Sequence, residues 1–269
     1  GSITLIQWPV SLMNKIKKTL KEYVDSNRQI SCVTCYDSSF AKILSDSGID
    51  IILVGDSLGM VIKGEKNTHS VTMQEIIYHS KCVAKNKKSS ILMVDMPIDS
   101  YINELSAIKN SREILKNNVD IVKLEYKDEH KDIIEKLISN NIPVCAHLGY
   151  LPQFFSDQGD VRIYGKSDIE KNKILEQAKV LDKMGVDIIL LECVESNLAK
   201  EITNILNTPV IGIGSGNHCN GQVQVLYDII GVSENPPKFS TNFLQESKSV
   251  EEAIKKFKTH ISKLNTQNK

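Results

Sequence analysis

The sequence predicts a single α/β domain folded as a closed (β/α)8 barrel, and three observations carry that prediction. Apolar runs alternate almost throughout with segments of helical periodicity. A faint internal repeat is visible in "GIDIILVGD" from Gly48, "NVDIVKLEY" from Asn118 and "GVDIILLEC" from Gly185. Its copies lie about 70 residues apart, roughly two βα units each, which suits a barrel better than a sandwich. Finally, 269 residues suit one such domain, and no low-complexity linker divides them.

The elements follow in order. "MNKIKKTLKEYV" is amphipathic and predicts a helix within residues 10–25 that caps the bottom of the barrel. Seven strands are expected at "SCVTCY", "DIILVGD", "SILMVDM", "DIVKLEY", "PVCAHL", "DIILLECV" and "PVIGIGS". An eighth is expected at "QVQVL", residues 222–226, where Gln224 leaves a helix as the alternative. Helix starts are marked by Thr72 with Glu75 and by Ser167 with Glu170, both spaced as capping boxes, and Gly185 is placed to close the helix after the second. "EEAIKKFKTHISKL" is the closing amphipathic helix.

Composition removes several function classes. Lys+Arg and Asp+Glu each number 33, so no overall field draws the chain to nucleic acid or an anionic membrane. "ITLIQWPVSLM" near the start has no basic segment before it and no small-residue cleavage site, and it is too short to span a bilayer. Six scattered cysteines lack the density of a disulfide scaffold, so a reducing, cytoplasmic setting is expected. Cys32 and Cys35 spell C-x-x-C, but on a strand their side chains point to opposite faces, which favours buried packing over metal or redox chemistry.

The C-terminal ends of barrel strands form the active face. Polar residues cluster there: Asp56 and Ser57, Asp95, Lys123 and Glu125, His147, and Glu192. A single acidic strand end usually caps the next helix. Several converging on one mouth need a cation or must take up protons. All-oxygen ligation by Asp56, Asp95 and Glu125 points to Mg2+ or a similar hard ion. Lys123 and Glu125 share a strand face, as a buried ion pair or with Lys123 receiving a substrate carboxylate. Glu192, on another strand, is the candidate general base. His147 has two readings, a substrate or carboxylate contact and a satisfied core residue. Counted from Asp50, Asp120 and Asp187, Asp56 falls one residue later than Glu125 and Glu192, so Gly55 must end or kink its strand.

Beyond these readings, "TCYDSSFAKILSDSGIDIILVGDSLGM", "VTMQEIIYHSKCV", "VDMP", "VKLE", "VCAHLGYLPQ", "LLECV", "IGIGSGN" and "KFSTNFL" occur in that order. Together they resemble ketopantoate hydroxymethyltransferase, a family whose likeness runs from about residue 28 to 245. The resemblance implies a barrel of the phosphoenolpyruvate mutase and isocitrate lyase type. It implies transfer of a one-carbon unit from 5,10-methylenetetrahydrofolate to the small 2-oxo acid 3-methyl-2-oxobutanoate, with Mg2+ as cofactor. Family ligands match Asp56 and Asp95, with Glu125 nearby; substrate contacts match Ser57, Lys123 and His147; the base matches Glu192. Tyr36 matches a family tyrosine near the substrate, with packing as its other reading. The family also implies a large homo-oligomer, a decamer.

Two departures stand out. The loop "GYLPQFFSDQGDVRIYGKSD" carries bulky Tyr150, Phe154 and Phe155 where the family usually reads "GLTPQSVN", which alters the expected folate fit. Tyr227 stands where a histidine is common. "IGIGSGN" fits a phosphate cradle or close backbone packing, and packing is favoured. Two other functions compete: a Mg2+-dependent oxo-acid lyase or mutase, whose usual catalytic cysteine loop is missing, and a non-catalytic barrel subunit, which intact Asp56, Asp95 and Glu192 argue against.

Overall fold

Strands that are apolar on both faces can be satisfied only inside a sheet covered on both sides, and this chain meets that need by closing the sheet on itself. The computed structural model describes residues 10–155 and 161–264. Its strands β1 (Ile30–Thr34), β2 (Ile51–Val54), β3 (Ile91–Asp95), β4 (Ile121–Glu125), β5 (Val144–Gly149), β6 (Ile188–Glu192), β7 (Val210–Ile213) and β8 (Gly221–Gln224) form a closed barrel in chain order. Every neighbouring pair is parallel, and β8 returns to β1. The eighth strand starts one residue before "QVQVL" and ends two residues short of its end, because Leu226 already opens a short helix.

Strand periodicity divides the core in two. Cys32, Ile51, Leu53, Met93, Cys145 and Leu190 belong to an inner cluster. Val33, Ile52, Val94, Val122, Ile189 and their neighbours belong to an outer one. Cys32 and Cys35 fall in different clusters, and both are free thiols, as expected of buried packing residues. Helix α1 (Val10–Asp25) sends Ile16 and Leu20 into the inner cluster, and its Lys17 contacts Asp187 beside the start of β6. It therefore lies across the end of the barrel opposite the strand C-termini.

Helices α2 (Ser38–Asp46), α3 (Leu58–Val61), α4 (Met73–Ala84), α5 (Glu104–Leu115), α6 (Lys131–Ser139), α7 (Asp168–Met184) and α8 (Ser196–Ile205) follow the first six strands. The short α9 (Leu226–Ile229) and then α10 (Val250–Ser262) follow β8. The Thr72 capping box is complete. At α7 only half of the expected box forms: Ser167 accepts from the Glu170 N–H, while the Glu170 carboxylate accepts from Gly165 and pairs with Arg162. Gly185 ends α7 in the left-handed conformation, φ 86°.

The internal repeat has a structural cause. Asp50, just before β2, accepts the Ser31 N–H of β1 at 2.9 Å. Asp120 does the same for Leu92 of β3 at 2.8 Å, and Asp187 for Val144 of β5 at 2.9 Å. Asn220 supplies the fourth, accepting from Val210 of β7 at 2.8 Å. Each even strand thus satisfies an edge donor of the odd strand before it. Among the described residues no helix is long and apolar enough to cross a membrane.

Candidate active site

The inward parity of β3 to β6 brings four side chains into one row. Lys123 Nζ lies 2.9 Å from Asp95 Oδ1 and 3.4 Å from His147 Nδ1, and His147 Nε2 lies 3.0 Å from Glu192 Oε2. Cross-strand register explains the order, since Asp95 is level with Lys123 and Glu125 with His147. An ammonium offers only donors, so His147 accepts at Nδ1 and its proton sits on Nε2, toward Glu192. Asp95 Oδ1 and His147 Nε2 are buried without an aligned hydrogen-bond partner, so their contacts with Lys123 and Glu192 are close but off-axis. Of the two readings of Lys123, the ion pair with Glu125 is not the one formed; Lys123 pairs instead with Asp95 on the neighbouring strand.

The one-residue offset of Asp56 is resolved as Gly55 suggested. β2 ends at Val54, and Asp56 sits in the turn, where its backbone N–H donates to Asp95 Oδ2 at 2.8 Å. A Cβ at Gly55 would stand 2.9 Å from Ser57 Oγ and 3.5 Å from Asp95 Oδ2, so a side chain there would crowd the site. Ser57 Oγ is 2.7 Å from the Tyr36 hydroxyl, which also donates to Thr34 at 3.0 Å. Tyr36 stacks on Tyr227, ring centroids 5.8 Å apart. Tyr36 therefore packs on Tyr227 and also contacts Ser57.

Electrostatics follow from crowding. Burial first, then the charge of Asp95, pushes the Asp56 carboxyl up to about 7. Burial and then Asp56 raise Glu125 well above the ordinary carboxylate range. Burial alone would lower Lys123, but Asp95 and Asp56 outweigh it and hold the ammonium above its usual value. Burial and the Lys123 charge lower His147, which keeps the imidazole neutral. Glu192 differs from the other site carboxylates in access, its side chain being 21% exposed.

Backbone geometry aims Glu192. Cys193 adopts φ 53°, a left-handed conformation that costs a non-glycine residue about 1–2 kcal/mol. Flanking hydrogen bonds hold it there: Tyr150 N–H to Glu192 O at 2.8 Å, Cys193 N–H to Ile213 O at 2.9 Å, and Tyr164 N–H to Cys193 O at 2.7 Å. Gly149 permits this approach, since a Cβ there would lie 2.2 Å from Glu192 O. The "IGIGSGN" glycines serve packing too, a Cβ on Gly216 meeting Ser196 at 2.1 Å.

Sequence reasoning missed Gln153 and Tyr101. Gln153, 5% exposed, donates from Nε2 to Asp56 Oδ2 at 2.9 Å and from its backbone N–H to Glu125 Oε2 at 3.0 Å. The Tyr101 hydroxyl donates to its Oε1. The available signal was a carboxamide inside "GYLPQ". The bulky loop residues pack rather than dangle: Tyr150 stacks on Phe155, and Lys127 covers Phe154. Residues 156–160 of that loop lie outside the described residues. Among the described residues no three His, Cys, Asp or Glu side chains gather closely enough to hold a metal, so Asp56, Asp95 and Glu125 do not form a closed three-ligand cage.

This fold, with its polar mouth, defines a closed parallel (β/α)8 barrel. Phosphonopyruvate hydrolase, solved with oxalate and Mg2+, superposes with a TM-score of 0.60 at 11% identity, covering 78% of this chain and 80% of that one. Phosphoenolpyruvate phosphomutase from Streptomyces platensis subsp. rosaceus gives 0.61 at 13%, covering 80% and 82%. Sequence likeness is far stronger elsewhere. The chain is 44% identical over 237 residues to the 3-methyl-2-oxobutanoate hydroxymethyltransferase of Marinobacter nauticus, covering 88% of this chain and 90% of that protein. It is 40% identical over 253 residues to the enzyme of that name from Pseudoalteromonas translucida, covering 94% and 93%. The pattern of the ketopantoate hydroxymethyltransferase family matches residues 15–265, and the chain belongs to that family.

Proposed function

We propose that the chain transfers a hydroxymethyl group from 5,10-methylenetetrahydrofolate to 3-methyl-2-oxobutanoate, giving 2-dehydropantoate through an enolate. The observation that carries this reading is the row Asp95, Lys123, His147, Glu192 beside Asp56, within a chain of this family. Mg2+ fits the residues present. Asp95 Oδ1 is a buried anionic oxygen without an aligned donor, and the single ammonium of Lys123, 2.9 Å from it, faces two adjacent carboxylates, of which Asp56 is pushed up to about 7. Asp56 and Asp95 would hold the ion, with Glu125 nearby, and a hard ion that retains water ligands suits so few protein oxygens. When bound, it polarises the 2-oxo group and so acidifies the adjacent C3–H.

The remaining steps belong to side chains. Lys123 and Ser57 are placed to receive the substrate carboxylate. Glu192 removes the C3 proton, and neutral His147 stands beside it with Nε2 3.0 Å from the carboxylate. The C3 carbon then bonds to the donor methylene carbon as one of that carbon's two C–N bonds breaks, the released folate nitrogen taking up a proton. Water attacks the same carbon as its remaining C–N bond breaks, giving one proton to the second folate nitrogen and leaving the hydroxymethyl group and tetrahydrofolate. The donor must lie over the mouth, near the loop after β5. Free cysteines suit a reducing compartment, so we place the reaction in the cytoplasm, carried out by a homo-oligomer.

A lyase or mutase reading gains no support from Cys193, whose thiol burial pushes up to about 12. The test is direct. The purified chain with Mg2+, 3-methyl-2-oxobutanoate and 5,10-methylenetetrahydrofolate should form 2-dehydropantoate, followed by NMR. Absence of product under these conditions contradicts the proposal.

A further inference from the structure

We propose that Gln153 is the positioning residue of the cation site, setting which oxygen of Asp56 is presented to a divalent ion while tying Glu125 to the same point. The inference rests on the function proposed above. Gln153 stands on the loop after β5, yet its contacts reach three other strands. Its side-chain Nε2 donates to Asp56 Oδ2, in the turn after β2, at 2.9 Å and to the Met96 carbonyl, just past β3, at 3.0 Å. Its backbone N–H donates to Glu125 on β4, at 3.0 Å to Oε2 and 3.3 Å to Oε1.

The orientation of the amide is determined by its partners. Asp56 Oδ2 and Met96 O are both acceptors, so only the NH2 end can face them. The carbonyl end then points to the Tyr101 hydroxyl, a donor, which resists a flip of the amide. One oxygen of Asp56 is thereby committed to Gln153. Asp95 Oδ2 is committed in the same way, accepting the Asp56 backbone N–H at 2.8 Å. Asp56 Oδ1 is the oxygen left over on its carboxylate, while Asp95 Oδ1 has no aligned hydrogen bond but faces Lys123 Nζ at 2.9 Å. A cation held by the two aspartates would therefore meet Asp56 at the oxygen that Gln153 leaves free. Outer partners of this kind fix ligand orientation, and their loss typically costs about 10- to 100-fold in metal affinity or activity.

On either side of Gln153, Tyr150, Phe154 and Phe155 find their own aromatic and cationic partners. Pro152 is held separately, its carbonyl 3.1 Å from His69 Nε2.

Mn2+ binding read by electron paramagnetic resonance, and Mg2+ binding in the presence of 3-methyl-2-oxobutanoate read by calorimetry, test the inference without turnover. Gln153→Met keeps the side-chain length and the backbone bond to Glu125 but removes the donor to Asp56. It should weaken both cations by about 10-fold or more, with the melting temperature in EDTA little changed. Tyr101→Phe, which only frees the amide to flip, should weaken them by a smaller factor. Equal cation affinity in wild type and Gln153→Met overturns the positioning role. Should that variant not fold, equal affinity in Tyr101→Phe overturns it instead. A wild type that binds neither Mn2+ nor Mg2+ with the oxo acid overturns the proposed function itself, which separates the two failures.

Discussion

Glu192 and Asp56 show how two carboxylates of one site can be given different work. Glu192 keeps 21% of its side chain exposed and faces the imidazole of His147, whereas Asp56 is buried against Asp95. For Asp56 the consequence can be worked out with its sign. Its carboxyl titrates near about 4 in an unfolded chain and about 7 in the fold, so between those values the folded state binds more protons. Its contribution to stability is fully present below pH 4 and is lost as pH rises through 7. In EDTA, the stability of wild type relative to Asp56→Asn should therefore fall from pH 4 to pH 7.5, read by urea unfolding. Added Mg2+, which favours the ionised carboxyl, should stabilise wild type more at pH 8 than at pH 5.5.

These residues also mark what a sequence can reveal at this scale. Asp95, Lys123, His147 and Glu192 are legible because a strand has a period of two and a barrel has one active end. Gln153 and Tyr101 are not, since each comes from a loop whose path is set by tertiary contacts. The partner of Lys123 was equally hidden. Sharing a strand face with Glu125 suggested one pairing, but the adjacent strand offers Asp95 at 2.9 Å.

Among the elements, the β5–β6 pair and the repeat turns carry distinct loads. Gly149 ends β5 at φ 93°, where a Cβ would collide with the Glu192 carbonyl. Gly149→Ala should destabilise the chain by about 1–3 kcal/mol from strain and displace Glu192, so turnover should fall more than oxo-acid binding. Unchanged kcat would show that this contact does not position the base. At the far end of the barrel, Asp120 accepts from Leu92 N–H and pairs with Lys87 at 3.0 Å. Asp120→Ala should cost about 1–3 kcal/mol in urea unfolding while leaving the KM for the oxo acid unchanged, because the lesion lies away from the mouth. The sequence showed three copies of this turn. The fourth escaped notice because Asn220 replaces the aspartate while keeping the acceptor.

On the scale of the whole molecule, closure of the barrel turns strand ends far apart in sequence into one site. Asp56 and Glu192 are brought to the same mouth by four parallel pairings, β2 to β3 through β5 to β6. That architecture was readable from alternation and repeat. Its ligand chemistry was readable only as a crowd of like charges that needs a cation. The central claim is that this crowd, with Glu192, makes a weak carbon acid lose its proton. The most direct measurement is deuterium exchange at C3 of 3-methyl-2-oxobutanoate in D2O, followed by proton NMR without folate. Wild type with Mg2+ should exchange the proton, EDTA should suppress the exchange, and Glu192→Gln should slow it by about 100-fold or more. An undiminished rate in Glu192→Gln, or in EDTA, would contradict the account.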